Sequence, residues 1–181
     1  MMDLRGKKVL VVGLARTGLA TVKFLKEQGA IVSTSEMKSE EEMKEVLQRL
    51  KELSISTEWG GHTVSHFLDQ DLIILSPGVD PTLEPIQKAL DKGIQVISEI
   101  ELAYHFINIP IIAITGTNGK TTTTLLIGEM LKEEGKKAGV GGNVGEPLIL
   151  FAEGGDQWEI LVVEVSSFQL EGIEDFRPLC S

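Results

Sequence analysis

The chain has 181 residues, 42 % of them hydrophobic and 24 % charged, a balance typical of a globular protein with room for one large or two small domains. Its 17 basic residues against 27 acidic, a net charge of −10, argue against a general nucleic-acid binder, and a single cysteine, Cys180, excludes an internal disulfide framework or a cysteine-based zinc site. The polar stretch from Met1 to Lys8 runs straight into a strand, and no apolar run approaches the roughly 20 residues that cross a membrane, so no signal peptide, no membrane association and a cytoplasmic location are expected.

Lys8 to Val12 reads as a first strand, followed by a glycine turn and a helix from about Thr17 to Gln28 that Gly29 closes. Ala30 to Thr34 is a second strand. Ser39 opens a charged helix to about Leu53, whose Met43, Val46, Leu47 and Leu50 fall at i, i+3, i+4 and i+7 and form one buried stripe beneath a solvated face of Glu and Lys. Ile55 to Trp59 is a weak third strand and Asp71 to Leu75 a clear fourth, ending in Ser76-Pro77-Gly78. A helix from Leu83 to Asp91 and a strand from Ile94 to Ile97 follow. A helix beginning at Glu99 and ending near Asn108-Ile109-Pro110 links two domains. The second domain opens with the strand Ile111 to Ile114 and continues with a helix to about Glu134. Next come a short strand at Lys137 to Val140, a loop from Gly141 to Gly145, and a strand from Ile160 to Val165.

Strands alternating with helices predict an α/β fold with mainly parallel sheets. The expected division is 1–98 and 99–181. From Pro110 to Ser181 there are only 72 residues and three convincing strands, fewer than a parallel sheet covered on both faces usually needs. The second domain is therefore expected to be incomplete and the chain to be the N-terminal part of a larger protein.

The segment Gly116-Thr117-Asn118-Gly119-Lys120-Thr121-Thr122 lies between a strand and a helix. Such a turn wraps backbone N–H groups around a phosphate; Lys120 reaches the outer phosphates and the Thr121 hydroxyl can ligate Mg²⁺. The longer G-x-x-x-x-G-K-[ST] pattern needs glycine where Ile114 stands. The alternative is an ordinary strand–helix turn. Glu164 ends a continuously apolar strand, where a carboxylate near the phosphate loop is placed to hold Mg²⁺. Ser166 and Gln169 follow as polar groups for substrate or phosphate, and Asn143 sits in a glycine loop able to approach a ligand.

The turn Gly13-Leu14-Ala15-Arg16-Thr17-Gly18 stands where a dinucleotide fingerprint belongs, but Ala15 replaces the middle glycine. Glu36, 18 residues beyond Gly18, lies where an acidic residue meets a ribose or base. Ser76-Pro77-Gly78 is at the carboxyl edge of the same sheet, as a ligand contact or simply a turn. His62, His66 and His105 share no metal-ligand spacing; no carboxylate is expected near His62 and His66, and packing or surface roles are expected.

The phosphate-loop sequence resembles that of the Mur ligases and their folylpolyglutamate synthase relatives. Gly13-Leu14 with Thr17-Gly18, Ser76-Pro77-Gly78-Val79, and Glu164-Val165-Ser166-Ser167-Phe168-Gln169-Leu170-Glu171 extend the resemblance over the whole chain. They narrow it to the branch that adds D-glutamate to UDP-N-acetylmuramoyl-L-alanine. The resemblance implies a Rossmann-like first domain that binds the UDP-substrate, followed by the N-terminal part of a P-loop ATPase-type α/β domain. It implies an ATP- and Mg²⁺-dependent amide ligase of peptidoglycan synthesis acting through an acyl phosphate, with small-molecule partners. Lys120 and Glu164 would be catalytic, and Gly116 to Thr122 would bind ATP. Thr121 and Glu164 would hold the metal. Gly13, Leu14, Thr17 and Gly18 would hold UDP, with Glu36 near the uracil. Ser76 and Gly78 would line that pocket, and Asn143, Ser166 and Gln169 would face the muramoyl portion. At position 36 the family usually carries Asp, and its D-glutamate domain, modified lysine and second-metal histidine would lie beyond Ser181, leaving this chain alone inactive. A non-catalytic nucleotide-binding module and an NAD-dependent oxidoreductase are the competing readings; the latter leaves Lys120 and Glu164 unexplained.

Overall fold

A computed structural model describes residues 2–154 and 157–181. The chain divides into two compact units, Met2–Glu99 and Ile100–Ser181. The first is a five-stranded parallel sheet in the order β3-β2-β1-β4-β5. Its strands are β1 (Lys8–Val12), β2 (Ile31–Glu36), β3 (Ser56–Trp59), β4 (Leu72–Leu75) and β5 (Gln95–Ser98). The helices α1 (Arg16–Glu27), α2 (Lys44–Glu52), α3 (Val64–Leu68) and α4 (Glu84–Asp91) connect them, and α5 (Glu99–Tyr104) follows.

Strand β1 is central, and Val9, Leu10, Val11 and Val12 are all fully buried, as a parallel strand covered on both faces requires. Leu10 and Val12 pack with Phe67, Ile73, Ile86 and Ala89. Val9 and Val11 alternate to the other face, on which α1 packs against β1 and β2. Strand β2 runs two residues further than its apolar pattern predicts. Ser35 pairs with Val12 and Glu58, and Glu36 pairs with Trp59, so tertiary pairing carries the strand into a polar stretch. The charged helix starts at Lys44, not Ser39. Glu42 and Met43 donate back three residues, to Ser39 and Glu40, and form a turn instead. Of the predicted stripe Leu50 is fully buried and the other three are half-buried.

The second unit is a three-stranded parallel sheet ordered β6-β8-β7. Its strands are β6 (Ile111–Ile114), β7 (Ala138–Gly142) and β8 (Ile160–Glu164). Helix α6 (Lys120–Glu133) packs on all three, and α7 (Ile149–Ala152) and α8 (Ser167–Glu171) are short. The expected glycine loop is shorter than predicted, because Gly141 and Gly142 are part of β7. The helix from Glu99 ends at Tyr104 and breaks into turns well before Pro110, which disfavours helical backbone in the residue before it. Cys180 is not a bare terminus. Its carbonyl accepts the Ala113 N–H at 2.9 Å, and the Leu179 N–H donates to the Ile111 carbonyl at 2.7 Å, so 179–180 pair along the free edge of β6. Among the described residues no helix is long and apolar enough to cross a membrane.

Candidate functional site

In the first unit the strand order reverses between β1 and β4, the point at which open parallel sheets bind ligands beyond their carboxyl ends. A cleft of 390 Å³ opens there, lined by Gly13 to Arg16, Glu36, Lys38, Met43, Val46 and Ser76 to Val79, with Leu19 completing its wall. Helix α1 begins at this cleft with Ala15 as its N-cap, whose side chain offers no cap hydrogen bond. A 12-residue helix with such an end attracts anions, and Arg16 and Lys38 add positive charge.

The cleft floor is built from backbone. The Ser76 hydroxyl donates to the Gly13 carbonyl at 2.7 Å and ties the two carboxyl-end turns together. Gly18 packs directly on that bond; a Cβ there would sit inside the Gly13 carbonyl oxygen and 2.9 Å from Ser76 Oγ. Glu36 is buried, and both its oxygens are engaged. Leu14 N–H donates to Oε2 at 2.7 Å and Lys38 N–H to Oε1 at 3.1 Å. Its carboxylate therefore shapes the turn that lines the cleft.

Of the residues predicted for the UDP site, Gly13, Leu14, Glu36, Ser76 and Gly78 line this cleft; Thr17 and Gly18 lie in the first turn of α1 behind it. Asn143, Ser166 and Gln169 belong to the second unit. Sequence reasoning missed Met43 and Val46 as an apolar wall of the cleft. Their helical spacing assigned them to the core, and their half-burial is what separates them from Leu50.

In the second unit β6 runs into the glycine turn. Gly119, at φ +77°, caps α6 in a left-handed conformation that a β-carbon disfavours. Helix α6 has no side-chain N-cap, so its first N–H groups face the turn. Lys120 Nζ donates to the Gly116 carbonyl at 2.8 Å, closing the loop on itself. Glu164 ends β8, next to Ile114 of β6, and is buried. Its Oε2 accepts the Thr121 hydroxyl at 2.7 Å and its Oε1 accepts the Asn143 amide at 2.9 Å. A buried carboxylate and a hydroxyl in direct contact beside a phosphate-type turn are oxygen donors that fit Mg²⁺. Thr117, Asn118 and Thr122 are exposed around the turn.

Ser166 and Gln169 form a reciprocal cap on α8. Gln169 N–H donates to Ser166 Oγ at 3.3 Å, and Ser166 N–H donates to Gln169 Oε1 at 3.0 Å. Their predicted role as ligand contacts thus begins from side chains already ordered by the helix start. Gln169 is buried and its Nε2 has no hydrogen-bond partner among the described residues.

The histidine expectation is corrected by the structure. A carboxylate does stand beside His66: Glu58 Oε2 lies 3.1 Å from His66 Nδ1. Glu58 also accepts the Ser35 hydroxyl at 3.1 Å and Thr63 N–H at 3.0 Å, while Ser35 Oγ meets His62 Nδ1 at 2.7 Å. The spacing along the chain hid this, because Glu58 lies on β3 and the histidines sit on and before α3. Burial alone would raise the Glu58 carboxyl, but the bonds from Thr63, His66 and Ser35 outweigh it and hold it at about 2. Burial lowers His62 against the charges of Glu58 and Glu36. Because the folded Glu58 pKa lies below its ordinary 4.5, its stabilisation is present above 4.5 and fades as pH falls toward about 2. Glu58→Gln should therefore lower the denaturant midpoint at neutral pH, with the gap from the parent protein closing through that window. A gap independent of pH would mean the carboxylate charge is not what stabilises.

Residues 7–98 match the family described as Mur ligase MurD-like, N-terminal domain, and residues 114–180 match the Mur ligase middle domain. The chain is 51 % identical over 177 residues to the UDP-N-acetylmuramoylalanine--D-glutamate ligase of Citrifermentans bemidjiense, covering 98 % of this chain and 39 % of that protein. The protein of the same name from Geobacter sp. (strain M21) matches to the same extent, 51 % over 177 residues and 39 % of its length. The chain thus spans about 39 % of the length of these curated relatives. Among solved structures, a pseudomurein peptide ligase type C from Methanothermus fervidus aligns with a TM-score of 0.50 and 27 % identity, covering 90 % of this chain and 33 % of that one.

Proposed function

Since the chain belongs to the Mur ligase family, we propose that it serves an ATP-dependent amide ligase of peptidoglycan synthesis that joins D-glutamate to UDP-N-acetylmuramoyl-L-alanine. The observation that carries this reading is the contact of Thr121 with the buried Glu164 beside the Lys120 turn. It joins a phosphate cradle to a hard-cation site within one unit, which an oxidoreductase has no need of.

In this reading the first unit holds the UDP group in the 390 Å³ cleft, with the diphosphate against the open end of α1 and the apolar wall of Met43 and Val46 beside it. Glu36 keeps the Leu14 turn in place for the uracil side. In the second unit the Gly116–Thr122 turn surrounds the ATP phosphates. The Lys120 ammonium turns from the Gly116 carbonyl to the outer phosphates. Thr121 and Glu164 would hold Mg²⁺, which would supply charge neutralisation for phosphoryl transfer. The substrate carboxylate displaces ADP from the terminal phosphorus, and the amine of D-glutamate then displaces phosphate from the resulting acyl phosphate. Asn143, fixed against Glu164, and Ser166 and Gln169 at the start of α8 are assigned to the muramoyl side of this reaction. Phosphoryl transfer depends on positioning and electrostatics, and these residues supply both.

Calorimetry on the chain with UDP-N-acetylmuramoyl-L-alanine, ATP–Mg²⁺ and NAD tests the assignment. Binding of the first two is expected, and uptake of NAD in their place would overturn it. Glu164→Gln keeps the size of the side chain but removes its charge. It should weaken ATP binding measured with Mg²⁺ far more than binding measured with a chelator present. An unchanged Mg²⁺ dependence would leave Glu164 as a purely structural partner of Thr121 and Asn143.

A further inference from the structure

A second group of ligating side chains lies in the same unit, away from the phosphate turn. Glu101 on α5 is fully buried, and its carboxylate accepts three backbone N–H groups, from Glu174 at 2.9 Å, Asp175 at 2.9 Å and Phe176 at 3.0 Å. Such donors hold the carboxylate in one orientation. Just beyond the helix, four residues on, His105 places Nε2 3.2 Å from Glu101 Oε1 and 3.8 Å from Asp175 Oδ2. The three ligand atoms all lie within 4.8 Å of one another.

We propose that Glu101, His105 and Asp175 form a site for a borderline divalent transition cation of the zinc class. The donor set is one imidazole nitrogen and two carboxylate oxygens, which zinc accepts and which leaves a fourth position for water. Zinc bonds of about 2.0–2.2 Å in a tetrahedron put ligand atoms roughly 3.3–3.6 Å apart. His105 Nε2 lies 3.2 Å and 3.8 Å from its two carboxylate partners, and the two carboxylate oxygens lie within 4.8 Å of each other, so a small closure of the turn completes the geometry. The ligands are already drawn together, so the cation would bind between His105 Nε2 and Glu101 Oε1 without a large rearrangement.

The supports of the site are also ordered. Glu101 is held by the 174–176 backbone it binds, which brings Asp175 over His105. Phe176 is buried and meets Tyr104 edge-to-face at 5.5 Å, fixing the far side of the same turn. Asp175 is the exposed ligand, with 68 % of its side-chain surface accessible, and gives the ion its entry from solvent. The site differs in kind from the Thr121–Glu164 pair, whose donors are oxygens alone and suit Mg²⁺. A nitrogen donor turns the preference toward zinc, cobalt and nickel.

Titration of the chain with Zn²⁺ by calorimetry, and with Co²⁺ by visible absorption, tests the site. One equivalent of Zn²⁺ is expected to bind, to raise the unfolding temperature, and to persist in excess Mg²⁺. His105→Gln and the surface change Asp175→Asn should each weaken that binding about tenfold or more, a loss typical of disturbing a metal site. Both variants leave His62, His66 and Cys180 in place. Absence of Zn²⁺ binding, or Zn²⁺ binding unchanged by His105→Gln and Asp175→Asn, would overturn the proposal. The variants' ATP–Mg²⁺ binding reports that the unit carrying the site has folded, because the phosphate turn lies in that same unit.

Discussion

Replacement of Lys120 by alanine should weaken ATP–Mg²⁺ binding by about 10- to 100-fold and leave UDP binding unchanged. A hydrogen bond to a charged group contributes roughly 1.5–3 kcal/mol, which is a factor of about 10 to 150 in affinity. Lys120 is the only cation between Thr115 and Thr122, so no neighbour in the turn substitutes for it. The lost ground-state contact is small by comparison, a single bond from Nζ to the exposed Gly116 carbonyl. The backbone role of residue 120 survives, since the Thr124 hydroxyl donates to its carbonyl whatever side chain it carries. Calorimetry with each nucleotide separates the outcomes. Equal loss of UDP and ATP binding would point to unfolding, and retained ATP affinity would remove Lys120 from the phosphate site.

Gly18→Ala should damage the first unit more than any change to a side chain on its surface. The added methyl has to displace the Gly13 carbonyl, which is backbone, and crowds the Ser76 hydroxyl that holds it. Overpacking of this kind typically costs about 1–3 kcal/mol, and rigid backbone on one side puts this site at the upper end or beyond. The expected result is a lower unfolding midpoint together with loss of UDP binding, while ATP–Mg²⁺ binding persists in the second unit. Gly61→Ala is the matched control, because a Cβ there meets nothing within 4 Å. If the two variants unfolded alike, the packing of α1 onto the Gly13 turn would not be a determinant of the cleft.

The strands of the first unit were legible to within a residue or two where apolar runs are continuous, as in Val9 to Val12 and Leu72 to Leu75, because burial on both faces forces such runs. The polar end of β2 was not, since Ser35 and Glu36 are strand only by virtue of their neighbours β1 and β3. Helix α3 has five residues, too few for a period of 3.6 to declare itself. Helix α8 did carry a local signal. Ser166 followed three residues later by Gln169 is a capping box, but the same residues also read as ligand contacts. The phosphate turn, Lys120 and Glu164 could be located from glycine spacing and from a carboxylate at a strand end. The engagement of Glu36 with Leu14, and of Glu101 with 174–176, could not. Those bonds join backbone groups to a distant carboxylate and leave no pattern along the chain.

The two sheets differ in when their middle strand is made. In the first, β1 is central and emerges from the ribosome before every partner, so a template waits for β2, then for β4 and β5. In the second, β6 and β7 are both outer neighbours of β8, and β8 is the last of the three to be synthesised. Until residues 160–164 arrive, the two earlier strands have no ladder to join and the Thr124–Gly128 face of α6 has no complete sheet beneath it. Parallel pairings across long connections are slow to close. The first unit should therefore acquire protease resistance during translation once Glu99 has cleared the exit tunnel, and the phosphate-binding unit should acquire it abruptly and late. Arrested nascent chains of graded length, probed by limited proteolysis, would display that difference in order.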